Sequence, residues 1–275
     1  MAADFKGYMD DSFKDPLLVI GGYVGGYLRW EFFEAEWSAV LGRHGVPYFH
    51  MKEMASPTGV YAKWHPIEEH KEEVRSFLSD LTKIITESRL VAILSLVRLA
   101  DLDRFEKERK LKLDPYVLAI YGCMRGACEE NPGFNTELVF DHFDKTSSRL
   151  RKASEYASHS SDLKDNLPNI KLTPLNRDIT SRKILPLQAA DLAAWEFRKH
   201  HDNVKESLDL VQDILDADFA WEVQEQWILD RFGSHEKTMR KSAQALFVGN
   251  EVYPRIWDYK TLNEAHELQN GIWCS

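Results

Sequence analysis

Cysteine is scarce in this chain of 275 residues: Cys123, Cys128 and Cys274 are all there are. None forms a Cys-x-x-Cys pair, and bridging any two would leave one over. A disulfide scaffold and a thiolate zinc site are thereby excluded, and the thiols are expected to be reduced, in the cytoplasm. Long apolar runs are also lacking. Leu17 to Leu28 is interrupted by four glycines and Leu90 to Leu99 by Arg98, so no membrane span or membrane partner is expected. The opening "MAADFKGYMDD" has no basic stretch leading into an apolar one, and no secretory signal is expected. Basic charge is in deficit: 35 Lys and Arg against 44 Asp and Glu give a net charge of −9. That balance disfavours a protein that coats nucleic acid through bulk charge, though not a local basic groove. Repeats and low-complexity tracts are missing too. What remains is 44% hydrophobic and 12% aromatic, ample for a large core.

Phe5 to Met9 and Leu17 to Tyr27 read as strands of a hairpin around Asp15-Pro16. The glycines of "GGYVGG" lack the Gly-Lys-Ser/Thr ending of a phosphate loop and read as a bend in a strand. Helical spacing marks 30–41 and 67–87, with the short extended piece "VPYFHMKEM" between them. "RLVAILSLVRLA" is a strand, and helix starts follow at Asp101 and Pro115. Glu137 to Phe140 is a strand, a polar helix follows near 146–158, "NIKLTPL" is a strand, and Pro186 opens an apolar helix. From Asn203 a long helix runs to about Arg231, followed by a mixed tail rich in Trp and Tyr. The pattern predicts an α/β fold, a mixed sheet flanked by helices with helical insertions over 1–202. A C-terminal helical extension, 203–275, is expected to pack on it. The aromatic tail (Phe247, Tyr253, Trp257, Tyr259, Trp273) suits its own domain or a second chain, so a homodimer stays open.

Acidic residues recur at comparable places. Asp10 and Asp11 are expected at the end of the first strand, Asp141 and Asp144 at the end of a central one. Asp191 falls in the opening turn of a helix whose neighbours Leu187, Ala189, Ala190, Leu192, Ala193 and Ala194 are apolar. Each has a plainer reading alone: a turn, a cap, or a first-turn aspartate favoured by the helix dipole. Together, such carboxylates would repel one another unless a cation sat among them. With oxygen ligands only, that cation is Mg²⁺ or Mn²⁺, and its chemistry is activation of water against a phosphodiester. His50 reads either as a packed histidine or as a general acid/base near the metal. Glu53 reads as a surface charge. Lys145, Arg149, Arg151, Lys152, Arg182, Lys183, Arg198 and Lys199 are candidates for meeting a phosphate.

"YMDDS", "FHMKEM", "VFDHFDK" and above all "LPLQAADLAAWEFRK" resemble the landmarks of the domain of unknown function 3800 family, over residues 5 to 200. The resemblance implies a ribonuclease H-like fold with a metal-dependent nuclease site, in proteins linked to bacterial defence or mobile elements. It implies metal ligation by Asp10, Asp11, Asp191 and one of Asp141 and Asp144, with Gln188 orienting Asp191 or the substrate. Two departures stand out: Asp11 replaces the family's Glu, and Phe13 its Gly. The reading is thus a Mg²⁺- or Mn²⁺-dependent nuclease or phosphodiesterase. Asp10, Asp141, Asp191 and His50 are its candidate catalytic residues. Gln188, Lys145 and Arg149 are candidates for holding a nucleic acid or nucleotide. The alternative is a non-catalytic interaction module of such a system, with a vestigial acidic cluster.

Overall fold

The chain first doubles back at Asp15-Pro16, where β1 (Phe5–Lys14) and β2 (Leu17–Gly26) pair antiparallel from Phe5↔Gly26 to Lys14↔Leu17. This computed structural model describes residues 3–55, 59–66, 69–160, 163, 167–176, 181–203, 252–258 and 260–262. β3 (Val91–Arg98) runs antiparallel to β2. On the far side of β1, β4 (Thr136–Phe140) and then β5 (Ile170–Pro174) add in parallel. β6 (Val252–Trp257) joins β3 in parallel, completing a six-stranded mixed sheet in the order β5-β4-β1-β2-β3-β6.

Among the described residues the helices are α1 (Tyr27–Arg43), α2 (Met51–Met54), α3 (Lys71–Glu87), α4 (Leu99–Arg109), α5 (Pro115–Glu130), α6 (Thr146–His159) and α7 (Leu185–Asn203). They cover both faces of the sheet. On one face Trp30, Phe33 and Trp37 of α1, Phe77 and Leu81 of α3 and Ala193 of α7 pack with Val19, Tyr23 and Leu94. On the other, Val117, Ile120 and Met124 of α5 and Leu150 of α6 pack with Met9, Ile20, Ile93 and Leu138. β2 is therefore covered twice, which is why its sequence is an apolar run rather than an alternation. α7 lies close against the hairpin. A Cβ on Gly22 would stand 1.8 Å from the Tyr8 carbonyl oxygen and 2.9 Å from Ala190 Cβ. Glycine on the strand and alanine on the helix allow that approach.

Several expectations change. β1 runs on to Lys14, so Asp10 and Asp11 lie within the strand and not at its end; ladder bonds from β2 along its whole length outweigh aspartate's poor strand propensity. In "VPYFHMKEM" the last four residues wind into α2. α7 opens at Leu185, which puts Asp191 in its second turn. The tail contributes a strand, β6, where a helical extension was expected; pairing with β3 is a long-range event that local periodicity does not carry. Trp257 is buried in its own fold, its indole N–H donating to Ser95 Oγ at 3.1 Å. The expected helix to Arg231 lies outside the described residues.

Candidate active site

β4 stops at Phe140, opposite Met9, while β1 continues. Asp10 to Lys14 thus form an overhang whose β4-side edge is open beyond the carboxyl ends of two parallel strands, a place where α/β sheets commonly take ligands. Side chains alternate along the overhang. Asp10 shares the face of its ladder partner's neighbour Leu94, on the α7 side. Asp11 turns to the opposite face, where its Oδ2 accepts the Tyr116 hydroxyl of α5 at 3.1 Å. Asp141 is the first residue past β4, and its amide donates to the Met9 carbonyl at 2.9 Å, which seats it next to Asp10. Asp191 comes from α7. All four line a cavity of about 470 Å³, together with His50, His142, Lys52, Arg182, Trp195 and Arg198.

Three of these carboxylates are tethered in the same manner. Asp10 Oδ1 accepts the Asp11 amide at 2.7 Å, Asp141 Oδ1 the His142 amide at 2.7 Å, and Asp191 Oδ2 the Met51 amide at 2.6 Å. Among the described residues no donor meets the second oxygen of any of them. Their charges act on one another. Burial first, then the neighbouring charges of Asp191, Asp141 and Asp11, holds the Asp10 carboxyl well above the usual carboxylate range. Burial lifts Asp191 to about 6, against the opposing pull of the Met51 amide and of His50. Burial also raises Asp11, offset in part by the Tyr116 hydroxyl. Positive charge brought among such groups favours their ionised forms.

No three Asp, Glu, His or Cys side chains among the described residues are gathered at metal-ligand distances. The donor chemistry fits a hard divalent cation all the same. The set is oxygen-only, comes from three separate elements, and leaves one oxygen per carboxylate unengaged.

The remaining candidates divide. His50 lines the cavity, its side chain 34% exposed, and acts electrostatically on Asp191. Its Nδ1 stands 3.3 Å from Glu53 Oε1, without hydrogen-bond alignment. His65, His70 and His200 do not line the cavity. Glu53, expected as a surface charge, is enclosed: it accepts the Tyr48 hydroxyl at 2.8 Å and pairs with Arg182, whose guanidinium lies 4.8 Å from the Tyr48 ring centre. Gln188 is buried and occupied. Its Oε1 accepts Trp37 Nε1 at 2.9 Å and the Phe49 amide at 2.8 Å, and its Nε2 donates to the Arg182 carbonyl at 2.8 Å. It lines the cavity and holds the protein's own loop, whose Met51 amide in turn meets Asp191.

Asp144, Lys145 and Arg149 lie off the cavity. Asp144 is exposed, three residues beyond the register that fixes Asp141, so of the two it is Asp141 that stands at the cavity. Lys145 is exposed as well. Arg149 is consumed by Asp114 at 2.8 Å and by the Tyr116 ring, 4.0 Å away. Cations reach the cavity instead from Lys14, Lys52, Arg182 and Arg198. Sequence reading passed over Lys14, Lys52 and His142; the alternation Asp10, Ser12, Lys14 was the one available signal for the first.

No known protein family, curated protein or solved structure matches the chain. No helix among the described residues is long and apolar enough to cross a membrane.

Proposed function

We propose that the chain is a Mg²⁺- or Mn²⁺-dependent nuclease, a phosphodiester hydrolase on a ribonuclease H-like fold, as its resemblance to the domain of unknown function 3800 family implies. One observation carries the reading: Asp10, Asp141 and Asp191, from three distant stretches of chain, line one cavity, each with an oxygen that takes no hydrogen bond among the described residues. Three antiparallel strands, with two more added in parallel beside β1, support the fold assignment.

Asp10, Asp141 and Asp191 would hold the ion, which when bound supplies a lowered pKa for water and positive charge at the phosphoryl oxygens. The chain's own residues do the remaining work. Backbone amides fix one oxygen of each carboxylate and so aim the other. His50, partly exposed beside Asp191, takes a proton from water or returns one to the leaving oxygen. Lys52 and Arg182 line the same cavity and offset the acidic net charge where the substrate's phosphate enters.

Melting with and without Mn²⁺ tests the reading. At about a hundred times its dissociation constant, the ion stabilises the folded state by about 2.7 kcal/mol. Cleavage of an oligonucleotide should be abolished by EDTA. A melting midpoint indifferent to Mn²⁺, with no cleavage, rejects the assignment.

A further inference from the structure

Asp191, Trp195 and Arg198 stand at i, i+4 and i+7 on α7, one face of the helix, and all three line the cavity. Arg198 is unusual in its surroundings. It is 5% exposed, its Nε donates to Ser12 Oγ at 2.8 Å, and its Nη1 is enclosed without any hydrogen-bond partner. Among the described residues no carboxylate lies within ion-pair distance of it; Asp202, one turn further on, is bound by Lys14 at 3.0 Å. A buried guanidinium without a direct ion pair, offset only by the longer-range charges of Asp202 and Glu196, is expensive to keep. Its planar fork of donors matches the oxygens of a phosphate.

The position of Arg198 says which phosphate. Ser12 follows Asp10 by two residues on the same face of β1, ~7 Å along the strand. Arg198 follows Asp191 by two turns, ~10 Å along the helix. The Ser12–Arg198 pair is therefore the next rung beyond Asp10 and Asp191. Ser12 Oγ accepts from Arg198, so its own proton is free to be donated. Trp195 lies between the rungs, partly exposed, with Lys199 Nζ 5.2 Å from its ring centre.

Resting on the reading of the three carboxylates as a phosphodiester-cleaving centre, we propose that this face of α7 is a track for single-stranded nucleic acid. Arg198 and Ser12 hold the phosphate next to the one at the carboxylates, and Trp195 stacks the base between them. A base stacked on an indole has left its pairing partner, so the track selects a strand over a duplex.

Binding of a short fluorescein-labelled single-stranded oligonucleotide to the full chain, in EDTA and over a series of KCl concentrations, tests the proposal by anisotropy. Arg198→Met should weaken binding about ten- to a hundredfold. It should also make the slope of log K against log salt shallower by about 0.7, one phosphate contact fewer. Trp195→Leu should weaken binding about tenfold and leave the slope as in the wild type. Ser12→Ala, which keeps the Arg198 guanidinium but removes the oxygen that its Nε donates to, should weaken binding severalfold and carries the test if Arg198→Met does not fold. An unchanged affinity and slope in Arg198→Met, an unchanged affinity in Ser12→Ala, or a duplex bound as tightly as the strand overturns the track. Because EDTA removes metal, the two readings fail separately. Arg198-dependent binding with no Mn²⁺ effect on melting would reject the cleavage assignment and uphold the track.

Discussion

Gln188 Oε1 accepts the amide of Phe49 at 2.8 Å, and two residues along the same loop the amide of Met51 closes on Asp191 Oδ2 at 2.6 Å. A glutamine one turn before the carboxylate on α7 thus sets the loop that sets the carboxylate. Replacing Gln188 with Leu strands two buried donors, Trp37 Nε1 and the Phe49 amide, at about 1–3 kcal/mol each. The midpoint of urea unfolding should fall accordingly, and cleavage should fall further than stability alone explains. A variant with the wild-type midpoint would show that the loop is held by something else.

Asp191→Asn keeps the shape and removes one of the repelling charges. A carboxyl raised by the fold prefers its proton in the folded state, so folding takes up protons between the unfolded value of 3.8 and the folded value of about 6. Stability due to this group is therefore greatest below that window and declines as pH rises through it. The wild-type melting temperature should drop across the window, and the Asn variant's should drop less. Above it, without metal, the variant should be as stable as the wild type or more so, yet show no rise with Mn²⁺. A helix-dipole role predicts the opposite, a loss of about 0.3–1 kcal/mol with the Mn²⁺ response intact. Its second-turn position already counts against that role.

His50→Ala separates proton transfer from metal ligation. Removing a general acid/base lowers the cleavage rate about a hundredfold or more, while the three carboxylates and the Mn²⁺-induced rise in melting temperature remain. If the rise disappears with the imidazole, His50 belongs to the ion's ligands.

Trp257 ties β6 into the sheet. Trp257→Ala should cost about 3–5 kcal/mol, read from chemical denaturation, because a large buried side chain is lost and Ser95 Oγ loses its donor. Deleting everything after residue 202 removes β6 and bares the long apolar edge of β3, and should give an aggregating protein. A soluble deletion with wild-type stability would mean that β3 tolerates a free edge.

Where chemistry and local pattern coincide, the sequence was a good guide. The hairpin, the apolar strands, the proline at the start of α5 and the acids at 10 and 191 are visible in short windows, which leave 141 and 144 as alternatives. The misreadings share one cause: contacts made across the fold. Glu53 reads as a surface charge until Tyr48 and Arg182 close over it. Lys145 and Arg149 sit next to the central acids in sequence, but the turn into α6 carries them off the cavity, whereas Arg198 reaches it from two helical turns away. β6 has no local signature at all, since its partner β3 lies far earlier in the chain.

The dependence of Trp37 and Phe49 on Gln188, and of Met51 on Asp191, has a bearing on synthesis. The first half of the chain is translated with donors that nothing in that half satisfies. While α7 is still inside the ribosome, β1 to β4 can pair and bring Asp10 beside Asp141, but the third acid and the clamp on the loop are missing. A nascent chain is thus held incomplete until more than two-thirds of the sequence has emerged. For the nuclease proposed above, that delay would keep a finished centre away from the very messenger being read.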